Sequence, residues 1–297
     1  MLVQMFNSWY FFWIALSLGV FFGLYFLLKN KSQKTQKTVL FSLLAFALAL
    51  HFLKCFIPPY STDRERLYRD IWFINICGAN ILLFPFFFLS KNKTLKDYMF
   101  YLGVLSGVLS TLLPLEPIQK INQAAEWLDV VRFYIHHSLL WIVPLLMVLF
   151  GLHELDYRRV WKAPVCLLVV MLFIMLNQIF QSELGFVPLR DGNFFDPNYK
   201  NASYIWGPDD SIGKFIANFC PELFKTVPAG EFAGQEKYWP WFWLIVPAFL
   251  LITPLAFGLA MIFDYNRFAA DMLPIKRKFL AWKHAKTSAC NERNKNE

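Results

Sequence analysis

The sequence predicts an all-α membrane protein, a bundle of about seven transmembrane helices, N-terminus outside and C-terminus cytoplasmic. Two compositional facts and one pattern carry that reading. Charged residues make up 17% of the 297 positions and apolar ones 57%, whereas a soluble domain carries ~25% charged residues. The mean hydropathy is +0.40. The apolar residues gather in runs of roughly 18 to 24, the length at which a helix crosses a hydrocarbon core.

The runs are Ser8–Leu28, Thr38–Ile57, Asp70–Ser90, Tyr98–Leu115, Val131–Phe150, Trp161–Phe180 and Pro240–Phe263. The first has no basic n-region and no small-residue cleavage pattern, so it reads as a retained anchor. Together the runs make one transmembrane domain over 1–275, with a long outer loop near 181–239 and a polar cytoplasmic tail at 276–297. That loop mixes aromatics (Phe194, Phe195, Tyr199, Trp206) with prolines and glycines, the composition of a cap over helix ends or an interfacial segment. It contains an Asn201-Ala202-Ser203 sequon. The Trp239–Trp243 run reads most simply as an aromatic belt.

Charge sets the orientation. Lys29, Lys31, Lys34 and Lys37 fill the first connection; Lys91, Lys93 and Lys96 the third; Arg158, Arg159 and Lys162 the fifth. Seven spans place these, and the basic tail, on one side, which is cytoplasmic by the positive-inside rule. Arg64, Arg66 and Arg69 run against the rule, partly balanced by Asp63, Glu65 and Asp70. The net charge of +8 therefore reflects span flanks and anionic headgroups, and argues against a nucleic-acid partner. The partners expected are membrane lipids.

Five cysteines at irregular spacing form neither a disulfide framework nor a metal motif, and no P-loop, GxGxxG, HExxH or GxSxG is present. No cofactor and no metal is expected. No repeat recurs at a fixed period, which weakens a transporter of inverted repeats.

Strongly polar groups inside a bilayer need a partner, a cavity or a task. The spans carry His51 and Lys54, then Asn75, Cys77 and Asn80, then His136 and His137, then Asn177 and Gln178. Counted from the outer span ends, Cys77 lies roughly 10 Å deep, His137 and His51 roughly 9 Å, and Asn177 is shallower. Four helices thus put polar groups into one outer third, as a shared pocket would. Cys77 and Asn80, three apart, lie on one helical face. His136 and His137 are about 100° apart around the helix, so at most one points squarely at a common site. Pro85 and Pro144 each free a carbonyl one turn earlier, at Ile81 and Leu140. The plainer readings are a buried cysteine acting as a small hydrophobe, asparagines joining helices, and Lys54 snorkelling to headgroups.

Asn75-Ile-Cys-Gly-Ala-Asn80-Ile-Leu-Leu-Phe-Pro85 resembles the Cys-to-Pro helix of the YwaF / transmembrane protein 164 family. Lys91-Asn-Lys93-Thr-Leu95, Tyr98-Met-Phe-Tyr-Leu-Gly103 and Leu112-Leu-Pro114 resemble its cytoplasmic turn and next helix. Phe133-Tyr-Ile-His-His137-Ser-Leu-Leu140 with Pro144 resembles its histidine helix, the aligned histidine being His137. The eukaryotic branch is linked to phospholipid acyl transfer by a cysteine. The resemblance therefore implies an acyltransferase of the cell membrane, with Cys77 as nucleophile and His137 as its base. Asn80 or Asn177 then donates to the oxyanion, and Asn80, Asn177, His51 and His136 together are the substrate-binding or oxyanion residues. Beside it stand a non-catalytic protein that binds lipid or packs helices through the same cluster, and a small-solute transporter with His51, His137 and Asn177 along its path.

Overall fold

The computed structural model describes residues 3–58, 60–63, 67, 71, 74–115, 118, 127–185, 203–227 and 233–293. Arg64, Arg66, Arg69, Phe194, Phe195, Tyr199 and the sequon's Asn201 lie outside them. Among the described residues the fold is all-helical, with a single isolated bridge, Thr226 to Glu236.

Among the described residues seven long helices follow one another: α1 (Ser8–Leu28), α2 (Gln33–Leu53), α3 (Ile76–Leu89), α4 (Lys93–Leu112), α5 (Trp127–Leu149) and α6 (Lys162–Glu183), then, after the short α7 (Ser211–Ala217), α8 (Ile245–Arg293). Five of them, α1, α2, α5, α6 and α8, are long and apolar enough to cross a membrane. α4 starts with Lys93, Lys96 and Asp97, which dilute its hydropathy. α3 has only 14 residues, about 21 Å of helix against a core of about 30 Å.

Asn75 explains the late start of α3. Its side chain accepts from Gly78 N at 2.7 Å, an N-cap that fixes the first turn, so the helix begins at Ile76 and not at Asp70. The neighbouring Ile76 N donates to Ser203 Oγ (3.1 Å), which belongs to the long loop.

That loop goes inward. Trp206 and Trp243 are buried, and the Trp241 indole reaches the carbonyl of Leu168, the seventh residue of α6, at 2.8 Å. Irregular backbone is tolerated inside a membrane protein only where its polar groups are satisfied by the protein. Tryptophans do this here: Trp243 Nε1 donates to Tyr204 O (2.8 Å), Trp239 Nε1 to Thr226 O (2.9 Å), and Trp206 Nε1 to Gln178 Oε1 (3.2 Å). Within the expected aromatic belt, Trp241 and Trp243 thus brace the chain from inside, while Trp239 and Phe242 stay nearer the surface. Tyr204 and Trp241 take positive φ (58° and 66°), an uncommon backbone conformation for side chains of this size.

α5 is the central helix, buried on nearly every side. α1 meets it through the Ser17–Ser138 hydroxyl pair (2.6 Å) and the stacked rings of Trp13 and Tyr134. α4 meets it through Gly103 and Gly107, four apart. A Cβ on Gly107 would stand 2.7 Å from His137 O, so only glycine lets the two backbones come this close.

The basic connections share one end of the bundle, where Lys37, Ser90, Lys91, Lys96 and Leu152 surround one cleft. Ion pairs tie that end together. Buried Asp97 accepts from His153 Nε2 (2.8 Å) and Arg159 Nε (2.5 Å), and Asp264, where α8 bends, accepts from Tyr157 N (3.0 Å).

Candidate functional site

Cys77 is the second residue of α3, a half-buried thiol packed against the core. Counting from the basic ends of their helices, Cys77 stands twelve residues above Leu89, and His137 twelve above Leu149. Both are therefore about 18 Å up, on helices that pack against each other. His51, eighteen residues above Gln33, and Asn177, fifteen above Lys162, stand higher, at about 27 and 22 Å. The depths counted from Asp70 thus change: Cys77 lies in the first turn of a short helix beneath the inserted loop, level with His137 and below His51.

Helix geometry decides the chemistry of each histidine. His137 Nδ1 lies 2.8 Å from Phe133 O, one turn back on α5. A carbonyl only accepts, so Nδ1 carries the proton, and in the neutral ring Nε2 holds the lone pair. His136 is the reverse. Arg132 Nη1, which only donates, lies 3.2 Å from His136 Nδ1, so the proton is on Nε2. That N–H is buried and has no hydrogen-bond partner among the described residues.

The same pattern recurs at Asn80. The residue is fully buried, its Oδ1 accepts from the Tyr98 hydroxyl at 2.9 Å, and its Nδ2 has no hydrogen-bond partner among the described residues. The Tyr98 hydroxyl is also within electrostatic reach of Cys77. Asn177 Nδ2 is likewise buried with no hydrogen-bond partner among the described residues, whereas its neighbour Gln178 holds Trp206. Three of the sequence-derived residues thus present N–H donors awaiting an acceptor, and His137 presents a base.

His51 stands higher and adjoins the site through His136. Its Nε2 donates to Ile71 O (2.9 Å), and its ring lies nearly parallel to that of His136 with centroids 6.1 Å apart. Beside them Asp129 accepts from Arg132 Nε (2.7 Å) and the Tyr60 hydroxyl (3.1 Å). Lys54 is buried with its ammonium 5.2 Å from the Tyr60 ring, so it does not snorkel to the headgroups. Cation–aromatic contact within the protein replaces the headgroups.

Sequence reasoning missed Asp129, Arg132, Tyr60, Tyr98 and Ser203. The first two were within reach, because Asp129, Arg132 and His136 stand at i, i+3 and i+7 on one face of α5. Tyr60, Tyr98 and Ser203 come from other segments, and no spacing announces them.

No curated protein and no solved structure matches the chain. The family model of the TMEM164 family matches residues 4–258, a stretch that includes every residue of the site described above. The chain is a multi-pass helical membrane protein and belongs to the TMEM164 family.

Proposed function

We propose that the protein is an acyltransferase acting on membrane lipids, with Cys77 as nucleophile and His137 as general base. The observation that carries the reading is the fixed tautomer of His137. Its Nδ1–H is held by Phe133 O, so Nε2 is the proton-accepting atom, on a helix packed against α3 at the level of Cys77.

The steps balance. His137 Nε2 takes the thiol proton as sulfur attacks the carbonyl of an acyl ester. The oxyanion of the tetrahedral intermediate needs donors, and Asn80 Nδ2 is fixed by Tyr98 one turn along from the thiol. Asn177 Nδ2 and His136 Nε2 are further buried donors suited to ester and phosphate oxygens. The ester C–O bond breaks, the imidazolium returns its proton to the departing alcohol, and a thioester remains on Cys77. A hydroxyl of a second lipid then attacks, His137 takes its proton, and the thiol re-forms. Such a pocket lies in the outer half of the bilayer if the basic end faces the cytoplasm of a cell-membrane protein.

A second reading has an observation of its own: the same unpartnered donors would hold a lipid's ester oxygens without any reaction. Purified protein in lipid nanodiscs, given a phospholipid with one isotope-labelled acyl chain and a lysolipid, separates the two. Transfer of label by wild type, its loss in Cys77→Ala, and a thioester adduct on Cys77 by mass spectrometry support the acyltransferase. Lipid retention equal in wild type and Cys77→Ala, with no label moved in either, would leave only the binding role.

A further inference from the structure

The basic end of the bundle holds a cleft of about 400 Å³ remote from Cys77 and His137. It lies between the starts of α2 and α4 and the ends of α3 and α5. Lys37, Lys91 and Lys96 stand around it with Ser90. The Ser90 oxygen accepts from Asn92 N (3.0 Å), which leaves its proton to donate. Apart from Thr38 the remaining wall is apolar, with Phe88 and Met147 buried and Phe41 and Leu89 nearer the opening.

No acidic side chain lines the cleft, and among the described residues none of its three lysines forms an ion pair. The nearest acid in sequence, Asp97, is already held by His153 and Arg159. Lys37 and Lys96 are close enough to repel one another. Cations gathered beside a low-dielectric wall lower their energy by sharing an anion. Basic pockets between helices at a membrane face are suited to phosphate-bearing headgroups.

We propose that this cleft binds an anionic membrane phospholipid. Its phosphate sits among Lys37, Lys91, Lys96 and the Ser90 hydroxyl, and the first methylenes of a chain lie along Phe41 and Leu89. Free phosphate would satisfy the lysines equally but has no use for the apolar wall, which is why the lipid is the occupant.

Native mass spectrometry of the full-length protein in neutral detergent tests this, with equal amounts of phosphatidylglycerol and phosphatidylcholine of matched chains. Wild type is expected to retain phosphatidylglycerol over phosphatidylcholine by roughly fivefold or more. The preference disappears in K37Q/K91Q/K96Q and falls part-way in Lys96→Gln, the milder variant should the triple one fold poorly. K29Q/K31Q/K34Q removes equal charge from the same end outside the cleft and keeps the preference. An unchanged preference in both cleft variants overturns the proposal, and so does an equal loss in K29Q/K31Q/K34Q, which would mean surface charge alone. Displacement of phosphatidylglycerol by an equal concentration of inorganic phosphate would identify free phosphate as the ligand and overturn it too.

Discussion

His136 and His137 are neighbours on α5 held in opposite tautomers, one by Arg132 and the other by the carbonyl of Phe133. The pair therefore divides two jobs: His136 offers a buried N–H, and His137 offers a lone pair. His137→Asn keeps a donor near the Nδ1 position but has no base at Nε2. Label transfer should fall by about 10²-fold or more with little change in thermal midpoint. His136→Gln keeps a donor near Nε2 and should stay within about tenfold of wild type. Equal losses in the two variants would contradict the division of roles.

Gly107 is where α4 touches the backbone of His137. An added Cβ would stand 2.7 Å from His137 O and 3.0 Å from Trp141 N, both main-chain atoms that cannot swing away. Gly107→Ala should cost about 1–3 kcal/mol and shift α5. A displacement of ~1 Å at the base lowers turnover by about 10²-fold. Gly19→Ala, with nothing within 4 Å of its added Cβ, is the silent comparison. Thermal unfolding in detergent, together with transfer rates, checks both.

Trp243 anchors the inserted loop through one indole N–H shared between Tyr204 O (2.8 Å) and Ile205 O (3.2 Å). Trp243→Phe keeps the aromatic packing and removes the donor. About 0.5–1.5 kcal/mol should be lost, because each carbonyl gives up one of its two donors and keeps the other, Gly207 N for Tyr204 O and Trp241 N for Ile205 O. Faster proteolysis within 203–227, at unchanged overall helicity, is the expected sign. Unchanged cleavage would mean that the loop is held by packing alone.

Cys220, in the loop after α7, gives a pH test. Burial pushes its thiol up to about 11, and Sγ donates to Pro221 O at 3.4 Å. The folded value lies above the ordinary 9.0, so the neutral buried thiol contributes its full stability below that value. The contribution is lost as pH rises through about 11. At pH 8 iodoacetamide should alkylate Cys220 about 10²-fold more slowly than a free thiol with a pKa of 9, the rate climbing about tenfold per pH unit. A rate matching glutathione at pH 8 would show the thiol to be exposed.

The helical membrane class was legible in the sequence, as were several buried polar residues of the candidate site, since apolar run length and costly polar side chains are local signals. The places of Cys77, His137 and Asn80 on their helices follow the same way. What was not legible has a common cause. The start of α3 depends on the side-chain cap of Asn75, and the depth of the long loop depends on indole donors finding distant carbonyls. Hydropathy sees the Trp239–Trp243 run as interfacial because it scores side chains one at a time, whereas Trp243 is fully buried with its indole N–H on the carbonyls of Tyr204 and Ile205 and its ring against Tyr238. Lys54 misled for the same reason: its aromatic neighbour Tyr60 comes from beyond the end of α2.

The brevity of α3 bears on how the chain enters the bilayer during synthesis. Fourteen residues are too few to be handed to the lipid as an independent span. Ser203, which accepts from the first N–H of α3 at Ile76, emerges from the ribosome more than a hundred residues later. In the interval α3 must be sheltered by α2, α4 and α5, against which it packs. The neighbourhood of Cys77 is thus among the last parts of the protein to be completed, and an arrested chain ending before the loop would carry the thiol in an unfinished site.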